Sequence, residues 1–222
     1  FNPSGKERSS GFYSPLELFY SRRIGKLLPG GKEVPLIFGT KAFGRYDDWE
    51  YGGFVALTGK ENYIFNNQQL TEEQAYFGSA RLKKKILENS SIGLLMVGKQ
   101  TNDNTYGVID IDGAFRGSDW QLAYQFARSF ENSKGDYAAS IGFRNMSKSW
   151  ANLFRFRAIG NKFNISEVGF VPWRGTLNSV ILTGPIWYLE SGVIRNMFLY
   201  LGSSINYEHA DLYTDYSGVI GF

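Results

Sequence analysis

From about residue 35 onward the chain repeats one pattern. Segments of about ten residues alternate apolar and polar side chains, and clusters of Gly, Asn, Asp, Ser and Lys separate them. Alternation with period two puts one set of side chains on each face of a strand, and the spacers are turn formers. In Trp120 to Phe130, for example, Trp120, Leu122, Tyr124 and Phe126 share one face, and Gln121, Ala123, Gln125 and Ala127 share the other. Tyr137, Ala139, Ile141 and Phe143 repeat the arrangement after the polar link 131–135, which predicts an antiparallel hairpin. Ile92, Leu94 and Met96 stand opposite Gly93 and Lys99, Ile109 and Ile111 opposite Asp110 and Asp112, and Phe154 and Phe156 opposite Arg155 and Arg157. About eleven strands follow from this pattern, and no stretch has a persuasive helical period.

Two architectures fit many amphipathic strands: a soluble sandwich or barrel with its apolar face inward, and an outer-membrane barrel with that sense inverted. Segment length favours the barrel, because a membrane-crossing strand needs ~9–11 residues against the ~5–6 usual in globular sheets. The polar face mixes Gly, Ala and Ser with Arg, Asp and Gln, as a crowded or wet lumen requires. Aromatic rings stand at strand ends: Tyr46, Trp49, Tyr76, Trp120, Phe130, Tyr137, Trp150, Tyr188 and Tyr207. Amphipathic rings at both strand ends suit a lipid-interface girdle, and of these all but Phe130 are Tyr or Trp. The expected fold is therefore an all-β, antiparallel transmembrane barrel, or a large part of one, spanning 35–222 after an irregular, Pro- and Gly-containing lead-in over 1–34.

Composition narrows the chemistry. The chain has 222 residues, no Cys and a single His, so disulfides, thiol catalysis and cysteine-ligated metals are excluded. A net charge of +3 with scattered Lys and Arg lacks the basic stripe of a nucleic-acid surface. His209 stands in Tyr207-Glu-His-Ala-Asp211, which suits a turn better than a catalytic motif. Asp110-Ile-Asp-Gly113 starts like a calcium loop, but Gln121 occupies the position where an EF-hand needs Glu. The expectation is no enzyme activity, no cofactor and no metal.

The segment Leu18-Phe-Tyr-Ser-Arg-Arg-Ile-Gly25 resembles the "YSRRIG" motif that leads into the barrel of the bacterial family known as domain of unknown function 5916. Further stretches resemble that family in the same order: Ile37 to Arg45, Tyr76 to Arg81 followed by Ser91 to Leu95, Tyr106-Gly-Val-Ile-Asp110, and Phe163 to Val171. The resemblance implies an outer-membrane barrel in a diderm bacterium, lacking the carbohydrate-binding-module-like sandwich that usually precedes it. It implies no substrate. The family barrel is longer, so the expected reading is the front part of such a barrel. A complete barrel of about twelve strands is the alternative, suggested by Tyr216, Gly218, Ile220 and Phe222 alternating toward a terminal Phe.

On this fold Lys41, Arg45, Arg81, Asp110, Asp112 and Arg116 are expected on the lumen face, with Arg144, Arg155 and Arg157 continuing it. Their mixed signs predict internal ion pairs. Tyr46, Trp49, Tyr76, Trp120, Tyr137, Trp150, Tyr188 and Tyr207 are expected at the lipid interface, and Arg22 and Arg23 inside the barrel mouth. The expected partners are outer-membrane lipid and other envelope proteins, with a porin-like or transport role. Two alternatives remain: a structural or docking barrel in an envelope assembly linked to glycan handling, and a soluble β-sandwich binding module.

Overall fold

The computed structural model describes residues 15–171 and 173–222. Residues 1–14, the first part of the expected lead-in, lie outside the described residues. The elements are β1 (Leu36–Tyr46), β2 (Trp49–Thr58), β3 (Glu61–Phe65), β4 (Gln68–Glu72), β5 (Ala75–Ile86), β6 (Ser90–Gln100) and β7 (Thr105–Arg116). They continue with β8 (Trp120–Glu131), β9 (Tyr137–Met146), β10 (Trp150–Ile159), β11 (Thr176–Tyr188), β12 (Asn196–Phe198), β13 (Tyr200–Glu208) and β14 (Tyr213–Gly221). Among the described residues the only helical element is a 3-10 turn at Ser21–Arg23.

Eleven strands form one continuous antiparallel path, β1-β2-β5-β6-β7-β8-β9-β10-β11-β13-β14, with β12 paired to β11 and β3–β4 a separate hairpin. These eleven coincide with the alternating segments of the sequence. The three short strands were not anticipated. The β3–β4 hairpin turns on Asn66 and Asn67, both with positive φ (52° and 60°), the backbone that a two-residue primed turn needs and that Asn tolerates. Between β11 and β14 the chain forms two strands, the short β12 and then β13, the first beginning at Asn196. The sheet is open: β1 and β14 are its edges and do not pair, so the described residues contain no closed barrel.

Directly paired residues share a face, and the ladders from β5 to β14 run without a register shift. One face, termed inner, carries Arg81, Leu95, Asp110, Ala127, Ala138 and Ile159 along a single row. The other, outer, carries Ile92, Leu94, Met96, Ile109, Ile111 and Phe126. Burial is inverted relative to a water-soluble core. Asp110 and Asp112 are both 0% exposed, whereas Ile111 and Phe126 are each 48% exposed.

The strand ends define two rims. At the turn rim, links of two or three residues join β1 to β2, β5 to β6, β7 to β8 and β9 to β10. At the opposite, plug rim the lead-in enters and the long β10–β11 connection folds back over the inner face. Leu16 and Leu18 from the lead-in pack with Phe163, Ile165 and Val168 from that connection onto Leu95, Val97 and Val108 of the sheet. The two segments zip together: the Phe170 amide donates to the Glu17 carbonyl (2.9 Å), and the Tyr20 amide to the Val168 carbonyl (2.9 Å). On the inner face of β6, Leu95 and Val97 stand between Ser91, Gly93 and Lys99, and this apolar plug sits on them.

Candidate functional site

The inner face combines a ladder of buried polar side chains with the plug that covers it. Arg81 reaches from β5 across β6 to Asp112 on β7, joining it by two parallel hydrogen bonds, Nη1 to Oδ2 and Nη2 to Oδ1 (2.6 Å). Both side chains are almost wholly buried. The crossing depends on Gly93: a Cβ there would stand 2.6 Å from Nη2 of Arg81, so any larger residue pushes the guanidinium off its path. Next along the face, Gln125 Nε2 donates to Asp110 (3.2 Å), while Gln125 Oε1 accepts the Leu16 amide (2.8 Å). One side chain thereby ties the polar ladder to the plug.

A second cluster closes the plug rim. Lys99, buried near the end of β6, donates to Glu72 (3.1 Å) and Glu167 (2.6 Å), and Lys26 of the lead-in pairs with Glu72 (2.9 Å). Burial alone would raise the Glu167 carboxyl. The hydrogen bond and charge of Lys99, with the charges of Lys26 and Arg23, outweigh it and hold the group below its ordinary value. Arg23 Nε also donates to the Gly169 carbonyl (3.3 Å), placing this arginine against the plug. The cluster joins four separate stretches of chain. Sequence reading missed it because Glu72, Lys99 and Glu167 have no mutual spacing, and Lys99 alone gave a signal as a cation opposite an apolar face.

The other charged candidates fall on inner-face positions but are not gathered into one site. Lys41 and Arg45 lie on the edge strand β1 and are exposed, with Arg45 3.4 Å from Glu50. Arg116 donates from Nη1 to the Asn89 carbonyl (3.0 Å), and its amide donates to Ser90 Oγ (3.1 Å). Arg144 stands beside Gln121 and Leu153 in the register and is exposed. Arg155 and Arg157 lie half-buried between Gly142 and Val180, and between Ser140 and Asn178. Both thus sit on the inner face. No cluster of three metal-ligating side chains occurs among the described residues. His209 follows β13 in a turn, its amide donating to the Gly175 carbonyl (2.7 Å).

Of the aromatic candidates, Tyr46, Trp49, Trp120 and Trp150 take outer-face positions at the turn rim, and Tyr76, Tyr137 and Tyr207 take them at the plug rim. Tyr188 is the exception. It continues the row of Leu182 and Ile186 on the inner face, and the neighbouring Trp187 has the outer position. The reason is parity, since one residue along a strand exchanges faces. Trp120 pairs with Asn145, eight residues from Tyr137 on the same strand, or ~26 Å along the backbone. The outer rims also hold cations. Lys84 Nζ lies 5.0 Å from the Trp49 ring, and the Arg128 guanidinium 5.5 Å from the Tyr137 ring. At the turn rim Trp150 Nε1 donates to Thr183 Oγ1 (2.8 Å), which donates to Asn152 Oδ1 (2.7 Å).

No protein-family model, curated protein or solved structure matches the chain.

Proposed function

We propose that this sheet is the wall of a bacterial outer-membrane β-barrel with a transport role, its passage occluded by the segments lying on the inner face. The observation that carries the reading is the inverted polarity, with carboxylates, Arg81, Lys99 and Gln125 buried while rows of Ile, Leu, Met and Phe lie exposed. In water such contiguous rows form the kind of exposed apolar patch that marks a membrane or protein interaction face. In a bilayer each is buried against acyl chains, and the polar face lines the lumen. The aromatic residues at both rims support the same reading. Their separation of ~26 Å along the strand becomes about 20 Å at the ~35–45° tilt of such barrels, comparable with their ~25 Å apolar band. Unpaired strand edges in lipid cost several kcal/mol per group, so the reading requires strand partners for β1 and β14 in the membrane.

The plug makes the resting passage closed. Reconstitution into planar bilayers tests this: wild type is expected to conduct little, and Phe163→Ala, which hollows the plug, to conduct more. Stable monodispersity without detergent would refute the membrane reading in favour of a soluble sandwich. The dense apolar packing of the plug also favours a structural or docking barrel within an envelope assembly. An absence of conductance after the plug is loosened would select that second reading.

A further inference from the structure

The inner face has one region that its polar ladder does not explain. At the turn rim, Leu153, Leu182, Ile186, Phe198 and Tyr200 share the inner face across β10 to β13 and line a recess of about 500 Å³. Phe198 and Tyr200 stack along its wall, ring centroids 5.8 Å apart. Met146 is common to this recess and to a smaller one of about 190 Å³ lined by Arg116, Gln121 and Arg144, with Asp119 at its rim. Arg144 makes no ion pair with any described residue. An apolar chamber in the size range of small-molecule sites thus adjoins a polar one with two guanidiniums and one carboxylate, a net positive charge. The plug, packed at the other rim, does not reach it.

We propose that these adjoining recesses bind a long-chain carboxylate. Its alkyl tail lies between Leu182 and Phe198, and its carboxylate accepts hydrogen bonds from the planar fork of Arg144. A neutral solute of the same length satisfies the apolar recess alone, and an inorganic anion satisfies Arg144 alone. Only an amphipathic anion uses both. The placement rests on the transport-barrel reading, for which it names the substrate class, because the inner face must then be the lumen wall.

The full chain is reconstituted into nanodiscs of zwitterionic lipid. Binding is followed by energy transfer from tryptophan to cis-parinarate, a fluorescent long-chain carboxylate, with empty discs as the blank. Saturable transfer is expected, displaced at least about tenfold more effectively by dodecanoate than by dodecan-1-ol, the margin of a charge-assisted hydrogen bond. Arg144→Gln should abolish that preference while leaving displacement by the alcohol intact, and Phe198→Ser, in a short exposed strand, should weaken both competitors. Folded protein in discs without saturable transfer overturns the proposal and leaves the membrane reading standing. An undiminished preference in Arg144→Gln overturns it as well. Failure of the folded protein to enter discs at all refutes the membrane reading instead.

Discussion

The Arg81–Asp112 pair permits the sharpest test of how the inner face is built. Replacing Arg81 with Met removes the guanidinium but leaves Asp112, and Asp110 on the same strand face, both 0% exposed. Breaking a buried pair by deleting one partner costs about 3–5 kcal/mol, since the remaining charge keeps its desolvation penalty. That corresponds to a folding equilibrium shifted by roughly a hundred- to several-thousand-fold. Asp112→Asn should cost less, because Arg81 keeps an amide acceptor and has Asp110 as the remaining carboxylate on that face. The double variant Arg81→Met/Asp112→Leu should recover most of the loss, within about 1–2 kcal/mol of wild type, because apolar replacement of a whole buried pair is often neutral. Equilibrium urea unfolding of the refolded protein in micelles reads all four species through the five tryptophans. The reasoning fails if the double variant is no more stable than Arg81→Met. It also fails if Asp112→Asn is the more damaging single change.

Three further outcomes follow from the same geometry. Gly93→Leu places a side chain in the path of Arg81 and should reproduce the instability of Arg81→Met without altering any charge, measured by the same unfolding assay. Glu167 has a folded-state value below its ordinary 4.5, so its contribution is complete above that value and is lost as pH falls through the lower folded one. Limited proteolysis with an acid-active protease should therefore cut the 160–175 connection faster as pH drops beneath about 4.5, and Glu167→Gln should cut fast at every pH. Trp150→Phe removes the indole donor to Thr183 at the turn rim and should cost about 0.5–1.5 kcal/mol in the unfolding assay, leaving the plug's proteolytic protection unchanged.

Much of the fold is legible in the sequence because a strand's faces are written residue by residue. Trp120 to Phe126, Ile92 to Met96 and Phe154 to Arg157 each fall on the face their alternation predicts. One parity slip, at Tyr188, follows from counting near a strand end, where Pro185 and the start of β12 leave little pattern to anchor the register. The candidate site is much less legible. Arg81 and Asp112 are 31 residues apart and meet only because Gly93 lets a guanidinium lie across the strand between them. Lys99 and Glu167 are 68 residues apart, and Glu167 belongs to a connection whose strand-free sequence carries no periodic signal.

The sequence alone determined an all-β chain, the number of its long strands, and which side chains share a face, because these depend on period-two geometry within ten residues. It also excluded thiol chemistry by composition. Only the tertiary structure decided which face is covered. Alternation is symmetric, and a strand does not record whether its apolar side meets a core or the outside. That choice became visible when Leu16, Leu18, Phe163 and Val168 were found packed on the side of the buried carboxylates. The open edges of β1 and β14 and the apolar recess beside Arg144 belong to the same category. Each depends on how whole strands assemble side by side, and no pattern within one strand encodes it.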